Sequence, residues 1–424
     1  DEVHQVVARE GEGQREGSRK DRDAQDVDFE TLDEEQQQRA DHPADGDGRG
    51  QVVVDQLDEG MVREYGFETL EEAFMNGCFP ENGKKAVGAE RFPLWYELRK
   101  EMQVNDLACN ILSDKEDRVR AVFALGMNMR MFAGDERTKK ALEKLDFFVD
   151  VDLFMTDTAG YADIVLPACT SMERGEFKCY PGGYAWYTKP VIQPIGEAKS
   201  DADILTLLAR KMDLQDDLLK EGYKECIRWI IRDLPVTVEQ LEESPTPVKL
   251  PGIKPYVPGS WLEKGLPTPS GKFELDSVLI KEHPEWKLNS LPTYQAPVNP
   301  DPAKWPYALC AGVRIPNAIH SRLHDQPWAR TLRPRPQAEI SLEDAKKLGV
   351  EEGDLIDVET PNGCLCLEAS PTGTAPQGAV YLFQGYREAD ANSLLDPDNL
   401  DPYSGFPAYR SSYCMIRRHE NEKD

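Results

Sequence analysis

Two stretches of the chain place side chains where chemistry could be done. The first is Ala124-Leu125-Gly126-Met127-Asn128, an apolar run that ends in glycine and asparagine. A glycine at the carboxyl end of a buried parallel strand lets backbone approach a phosphate or ribose closely, and ligands of open α/β sheets bind at that edge. Gly-x-Asn is also an ordinary turn, and the fuller GxGxxG pattern of dinucleotide sites is missing from it. The second stretch is Val149-Asp150-Val151-Asp152, followed by Thr156 and Thr158. A carboxylate ending the second strand of such a unit can accept hydrogen bonds from a ribose or a guanine edge; it can equally cap the next helix. Cys364-x-Cys366, the closest cysteine pair, would lie on one face of a strand, where thiols are usually packing residues. Hydrolytic chemistry finds no footing, because the sequence has no GxSxG elbow, P-loop or HExxH, and its six histidines are scattered.

These residues need elements to hold them. VRAVFALGMN, from Val119, suits a strand buried on both faces. DERTKKALEKL, with its acidic first turn, reads as a helix, and FFVDVD supplies a second apolar run. Together they form a strand-helix-strand unit with a right-handed, parallel crossover. ADIVLPA is a third strand, and DADILTLLARKMD a second helix with Ile204, Leu207, Leu208 and Met212 as its apolar stripe and Ser200 or Asp201 as cap. Phe92 to Met102 reads as an amphipathic helix opened by proline.

Residues 215–300 alternate helical pieces with proline-rich irregular stretches. Beyond them PYALCAG, LIDVET, CLCLEAS and GAVYLFQG are strand-like, and Pro361-Asn362-Gly363 predicts a hairpin between two of them. Ser341 to Asp344 caps one helix, which Gly349 stops. The expected fold is α/β: an open parallel sheet domain over 61–295, followed by a β-barrel-like domain over 296–424.

Composition bounds the function classes. A chain of 424 residues exceeds one hydrophobic core. With 40% apolar and 8% aromatic residues it can pack an interior, yet no run approaches the roughly 18 apolar residues of a membrane span. A net charge of -27 argues against nucleic acid as partner, since phosphate binding relies on clustered Lys and Arg. Residues 1–60 hold one aromatic, Phe29, and carry about -12 of that charge, a composition expected to stay disordered. Nine cysteines lack CxxC spacing, so neither an iron-sulfur cluster nor a structural zinc site is expected.

The run FMTDTAGYADIVLPACTSMERGEF, Phe154 to Phe177, resembles the "FMTxTAxxADVVLP" signature of molybdopterin oxidoreductases of the dimethyl sulfoxide reductase family, followed by that family's glutamate, here Glu173. Further blocks resemble the family in its order: Thr268 to Glu274 (TPSGKFE), Gly312-Val313-Arg314 with His320-Ser321, Ala338 to Ala345, Leu348-Gly349, Gly353-Asp354, Asn392 and Tyr413-Cys414. The resemblance covers roughly residues 90 to 418.

It implies a double-psi type barrel and a bis(molybdopterin guanine dinucleotide) cofactor, with molybdenum or tungsten held through that cofactor. Gly126, Asn128, Asp152 and Thr156, with Asp201 as a further candidate, would line the first nucleotide pocket. Gly312, Arg314, His320, Ser321, Asn392 and Arg410 would line the barrel side. Arg offers a planar donor fork for pyrophosphate, Asn matches the edge of a heteroaromatic ring, and Asp accepts from guanine nitrogens. The loops Gly175 to Trp186 and Gln384 to Tyr409 are candidate funnel walls, though their aromatics could equally anchor the core.

The family's cysteine cluster and the domain that supplies a metal ligand have no recognisable counterpart here. The chain therefore reads as the cofactor-binding C-terminal half of a two-electron oxidoreductase, with no catalytic residue or protein metal ligand of its own. Its expected partner is the missing N-terminal half, from the same parent chain or a separate subunit, with an iron-sulfur electron-transfer subunit as a possible addition. A decayed, non-catalytic relative is the third account.

Overall fold

The computed structural model describes residues 85–420, except 181–182, 233, 235, 251–258, 260–261, 263–264, 267, 269 and 316–325. The acidic stretch 1–60 lies outside the described residues, as do His320 and Ser321.

Helix α1 (Pro93–Arg99) opens on proline and stops at Lys100 in a left-handed conformation, three residues short of the expected Met102. Helix α2 (Leu107–Leu112) then leads to the parallel sheet. Strands β1 (Ala121–Leu125), β2 (Phe147–Asp152) and β3 (Ile164–Pro167) lie in the order β1-β2-β3, with Leu125 beside Val151 and Asp152 beside Pro167. Central β2 is buried at four successive residues, Phe148 to Val151, which is why its sequence shows no alternation. Helix α3 (Asp135–Lys144) makes the crossover. Leu107 and Ile111 of α2 with Ala141 and Leu142 of α3 pack on Ala124 and Phe148, covering one face of the sheet.

Helix α4 (Asp201–Lys211) is capped by Ser200, whose hydroxyl accepts from the Asp203 amide. Its expected apolar stripe is only partly buried: Ile204 packs inside, whereas Leu207, Leu208 and Met212 are exposed. The 3.6-residue period was therefore a true helix signal, but the surface that should receive this face is not among the described residues.

Gly175 to Trp186, expected as a loop, includes most of a hairpin, β4 (Glu176–Tyr180) and β5 (Tyr184–Thr188), with the short β6 (Val248–Lys249) as third strand. Its aromatics hid it by breaking the polar alternation. Ala185 and Tyr187 pack against Ile227 of α5 (Tyr223–Ile230) and Leu241 of α6 (Val238–Glu243).

The third layer is a closed barrel of mixed strands in the order β10-β8-β11-β7-β12-β9. Its strands are β7 (Tyr307–Val313), β8 (Gln337–Ser341), β9 (Leu355–Thr360), β10 (Gly363–Thr372), β11 (Ala379–Phe383) and β12 (Ser412–Arg418). β9 and β10 form the expected hairpin, but Thr360 pairs with Gly363, so the turn residues are Pro361 and Asn362 and the glycine opens β10 instead of sitting in the turn. Leu309, Ile340, Ile356, Val358, Val380, Leu382 and Ile416 fill the interior. Helix α7 (Leu342–Leu348) starts at Ser341, which accepts from the Asp344 amide, and ends at Gly349. β8 and β12 were not among the expected strands: β8 has only two apolar residues in five, and the apolar run of β12, Tyr413 to Ile416, is four residues long and ends in two arginines. No helix among the described residues is long and apolar enough to cross a membrane.

Candidate cofactor site

The carboxyl ends of the parallel strands carry four of the predicted residues. Gly126 follows β1 with φ +62, and its amide donates to the Val151 carbonyl at 2.9 Å, so it lies beside Asp152 at the end of β2. Its α-carbon is exposed, leaving the strand end open to a ligand. Asp152 holds its own turn: one carboxylate oxygen accepts from the amides of Leu153 (2.6 Å) and Phe154 (3.3 Å). The Thr156 hydroxyl accepts from the Ala159 amide at 3.2 Å. Asn128 caps a short 3-10 turn, accepting from the Arg130 amide at 3.0 Å.

Asn392 comes to the same place from the barrel. Its side chain, 1% exposed, donates to the Arg130 carbonyl at 2.5 Å and to Asp390 at 2.9 Å, while its backbone carbonyl accepts from the Gly134 amide at 3.0 Å. Two asparagines more than two hundred residues apart thus grip the backbone of one residue, Arg130, from opposite sides. They make a seam between the parallel-sheet layer and the barrel. The Asn392 side-chain oxygen is buried there with no hydrogen-bond partner among the described residues. A buried amide oxygen left unpaired costs roughly 1–3 kcal/mol, so this acceptor calls for a donor from a ligand or water.

Gly312, on β7, lies where a β-carbon would come within 2.9 Å of the Tyr409 side chain, so only glycine lets that ring pack. The Tyr409 hydroxyl donates to the Met131 carbonyl at 3.0 Å, tying the barrel to the same loop as Asn392. Arg314 follows β7 and Arg410 is exposed beside Tyr409. Asp201 stands apart from the strand-end group: it opens α4 and pairs with Arg174 at 3.0 Å.

Sequence reasoning missed the ion cluster that closes the seam. Asp157 accepts from Arg130 and, across the seam, from Arg387 in the barrel's loop. Burial opposes its ionisation, yet the hydrogen bonds from Arg387 and Arg130 hold its carboxyl below the usual range. Asp157 lies inside the signature block, but no periodicity announces a partner 230 residues away. Missed too was Asp150, fully buried on β2 with neither oxygen partnered.

Glu173 is a structural anchor. Its carboxylate accepts from the Thr170 amide and hydroxyl, both at 2.7 Å, and from the Ile195 amide at 2.7 Å. These bonds, the Thr170 amide first, hold its carboxyl below the usual range. A depressed carboxyl stabilises the fold above its ordinary titration range, and that contribution vanishes as pH falls through the folded value. Glu173→Gln is expected to lower the melting temperature by a few degrees at neutral pH and to flatten its fall in acid, as thermal scans across pH would record.

The residues at the seam fit a nucleotide-bearing cofactor: an open glycine strand end, a carboxylate beside it and an orphaned buried acceptor facing the same loop. Beside them, Phe154 and Met155 are 69% and 73% exposed. Exposed apolar residues directly after Asp152 form the kind of surface that a ligand or another segment covers.

A family model described as Molybdopterin oxidoreductase matches residues 81–211, and one described as Molydopterin dinucleotide binding domain matches residues 309–413. A probable oxidoreductase of Bacillus subtilis is 30% identical over 322 residues, 73% of this chain and 45% of that protein. Acetylene hydratase of Syntrophotalea acetylenica is 31% identical over 328 residues, 70% of this chain and 44% of that protein. In structure, acetylene hydratase from Pelobacter acetylenicus superposes with a TM-score of 0.69 and 25% identity, covering 81% of this chain and 54% of the other. The chain spans about half the length of these relatives. Two family models on the two layers that meet at the seam, with relatives along most of the chain, place this protein in the molybdopterin oxidoreductase family, the dimethyl sulfoxide reductase group.

Proposed function

We propose that this chain is the cofactor-binding C-terminal part of a molybdenum- or tungsten-dependent oxidoreductase, holding bis(molybdopterin guanine dinucleotide) by its nucleotide ends at the seam. The observation that carries this reading is the convergence of Gly126, Asp152 and the unpaired Asn392 oxygen on the loop 126–134, which both family-matched regions border. Asp152 accepts from guanine nitrogen donors through the oxygen lone pairs its own turn leaves available. Arg314 and Arg410 supply cationic donors to pyrophosphate, and Asn392 accepts from a ring N–H. The bound cofactor supplies two-electron oxygen-atom or hydride-equivalent transfer, while the protein orients it and excludes water. The parallel-sheet layer belongs to a domain over 61–295 and the barrel to one over 296–424.

The exposed faces of Leu207, Leu208, Phe154 and Met155 support a further segment that covers them, the N-terminal part of the enzyme supplied in the same polypeptide or as a subunit. An iron-sulfur electron-transfer subunit fits a redox role for the whole. Likeness to acetylene hydratase supports a second reading, non-redox hydration at the same cofactor.

The test is to purify the full chain anaerobically from a host that makes the cofactor, then assay released GMP together with molybdenum and tungsten by mass spectrometry. Stoichiometric GMP is expected. In Asp152→Ala, retained GMP should bind about tenfold or more weakly, from the ~1.5–3 kcal/mol of a hydrogen bond to a charged group. Folded protein without GMP overturns the proposal.

A further inference from the structure

The outer wall of the barrel carries a side-chain cluster that the cofactor reading does not use. Asp357 on β9 stands directly opposite Cys366 on β10, and on its other side is paired with Arg417 on β12. His419 follows β12, its amide donating to the Leu355 carbonyl at 2.9 Å. Ile356 and Val358 face the core, so the alternation of β9 turns Asp357 outward. The ligand atoms of Asp357, Cys366 and His419 all lie within 4.8 Å of one another. Sequence reasoning took Cys366 for a packing residue and the histidines for scattered; the barrel instead brings one histidine and one thiol, 53 positions apart, to a common carboxylate.

We propose that Asp357, Cys366 and His419 form a binding site for a borderline transition-metal dication, Zn2+ being the natural occupant, that staples β9, β10 and the chain after β12 on the barrel's outer wall. One thiolate and one carboxylate balance the dication's charge, and imidazole completes a donor set that suits zinc and disfavours the all-oxygen preference of magnesium and calcium. Tetrahedral bonds of about 2.0–2.3 Å put donors roughly 3.5 Å apart, so His419 and Asp357 open slightly from their 2.7 Å contact and the Cys366 thiol closes by at most about 1 Å, which surface rotamers allow. Solvent supplies the fourth ligand. Without metal, His419 Nδ1 contacts one Asp357 oxygen at 2.7 Å, while the other accepts from Arg417 at 3.1 Å. Arg417 also donates to Glu359 at 2.7 Å, so it can stay paired when the metal takes over its share of Asp357. The thiolate, not the thiol, is the ligand, so metal binding displaces the Cys366 proton.

The test titrates the metal-stripped full chain with Co2+ and then Zn2+, reading the near-ultraviolet thiolate-to-cobalt charge-transfer band and proton release. One equivalent of Co2+ is expected to produce the band, Zn2+ to erase it, and about one proton to leave per metal. Cys366→Ser and His419→Gln should each weaken binding at least about tenfold. Both side chains lie at the surface, and circular dichroism of the metal-free variants checks that they fold. Absence of the band, or identical titrations in wild type and both variants, overturns the site.

Discussion

Asp150→Val is expected to stabilise the protein by about 2–3 kcal/mol at pH 7, an unusual sign for a core substitution. Asp150 is fully buried at the centre of β2, between Ala124 and Val165, and neither of its oxygens has a partner. Burial first, and then the charge of Asp152 two residues on, push its carboxyl up to about 6 from 3.8. The folded protein therefore holds this proton more tightly than the unfolded chain. The contribution of Asp150 to stability is therefore greatest below pH 4 and falls as pH rises through about 6, by roughly 3 kcal/mol at 1.36 kcal/mol per unit. Valine has one heavy atom fewer than aspartate and the branched shape a strand favours. Urea titrations of both proteins between pH 4 and 8 check this: the wild type should lose stability across that window relative to a valine variant that lacks the slope. A destabilised variant would mean that the carboxylate has a partner in solution, and the idea of an unpaired charge would be wrong.

Asp157→Ala is expected to do the reverse, costing about 2–4 kcal/mol. Asp157 pairs with Arg130 in the parallel-sheet layer and Arg387 in the barrel's loop. The Arg130 side chain is 16% exposed, so removing Asp157 leaves a mostly buried cation without an ion-pair partner among the described residues, its remaining hydrogen bond going to the Tyr386 carbonyl at 3.3 Å. Arg387 is 62% exposed, and Arg387→Ala should cost less than about 1 kcal/mol. The asymmetry is the diagnostic feature, because it assigns the cost to desolvated charge rather than to the number of ion pairs. Calorimetry adds a second readout. With the seam weakened, the barrel and the parallel-sheet layer should melt in two separated transitions, whereas equal effects of the two substitutions would show the network to be a surface ornament.

Much of this was legible in the chain. The strand-helix-strand unit, the capped helix after Ser341 and the hairpin of β9 and β10 follow from local periodicity and turn chemistry, which act over a few residues, although the hairpin turns one residue earlier than its Asn-Gly pair suggested. The block from Phe154 to Phe177 carried the family. Less legible were β8, whose two apolar residues alternate too briefly to be told from loop, and β12, whose apolar run of four residues is too short to tell strand from helix. Leu207, Leu208 and Met212 have the spacing of a buried stripe, yet no local signal says whether the receiving surface is present. Asn128 and Asn392 were both predicted to line a pocket, but not that they would clasp one residue between them.

Sequence by itself determined which segments become strands and helices and which strand end carries glycine beside a carboxylate, because propensity, capping and turn geometry are short-range forces. Tertiary structure alone decided that Asp157 would join Arg130 to Arg387, that Asp150 would be sealed without a partner, and that Cys366 and His419 would meet at Asp357. Those outcomes depend on strand order and barrel closure, which bring together residues tens to hundreds of positions apart. Burial then multiplies the energy of every charge the fold has moved out of water.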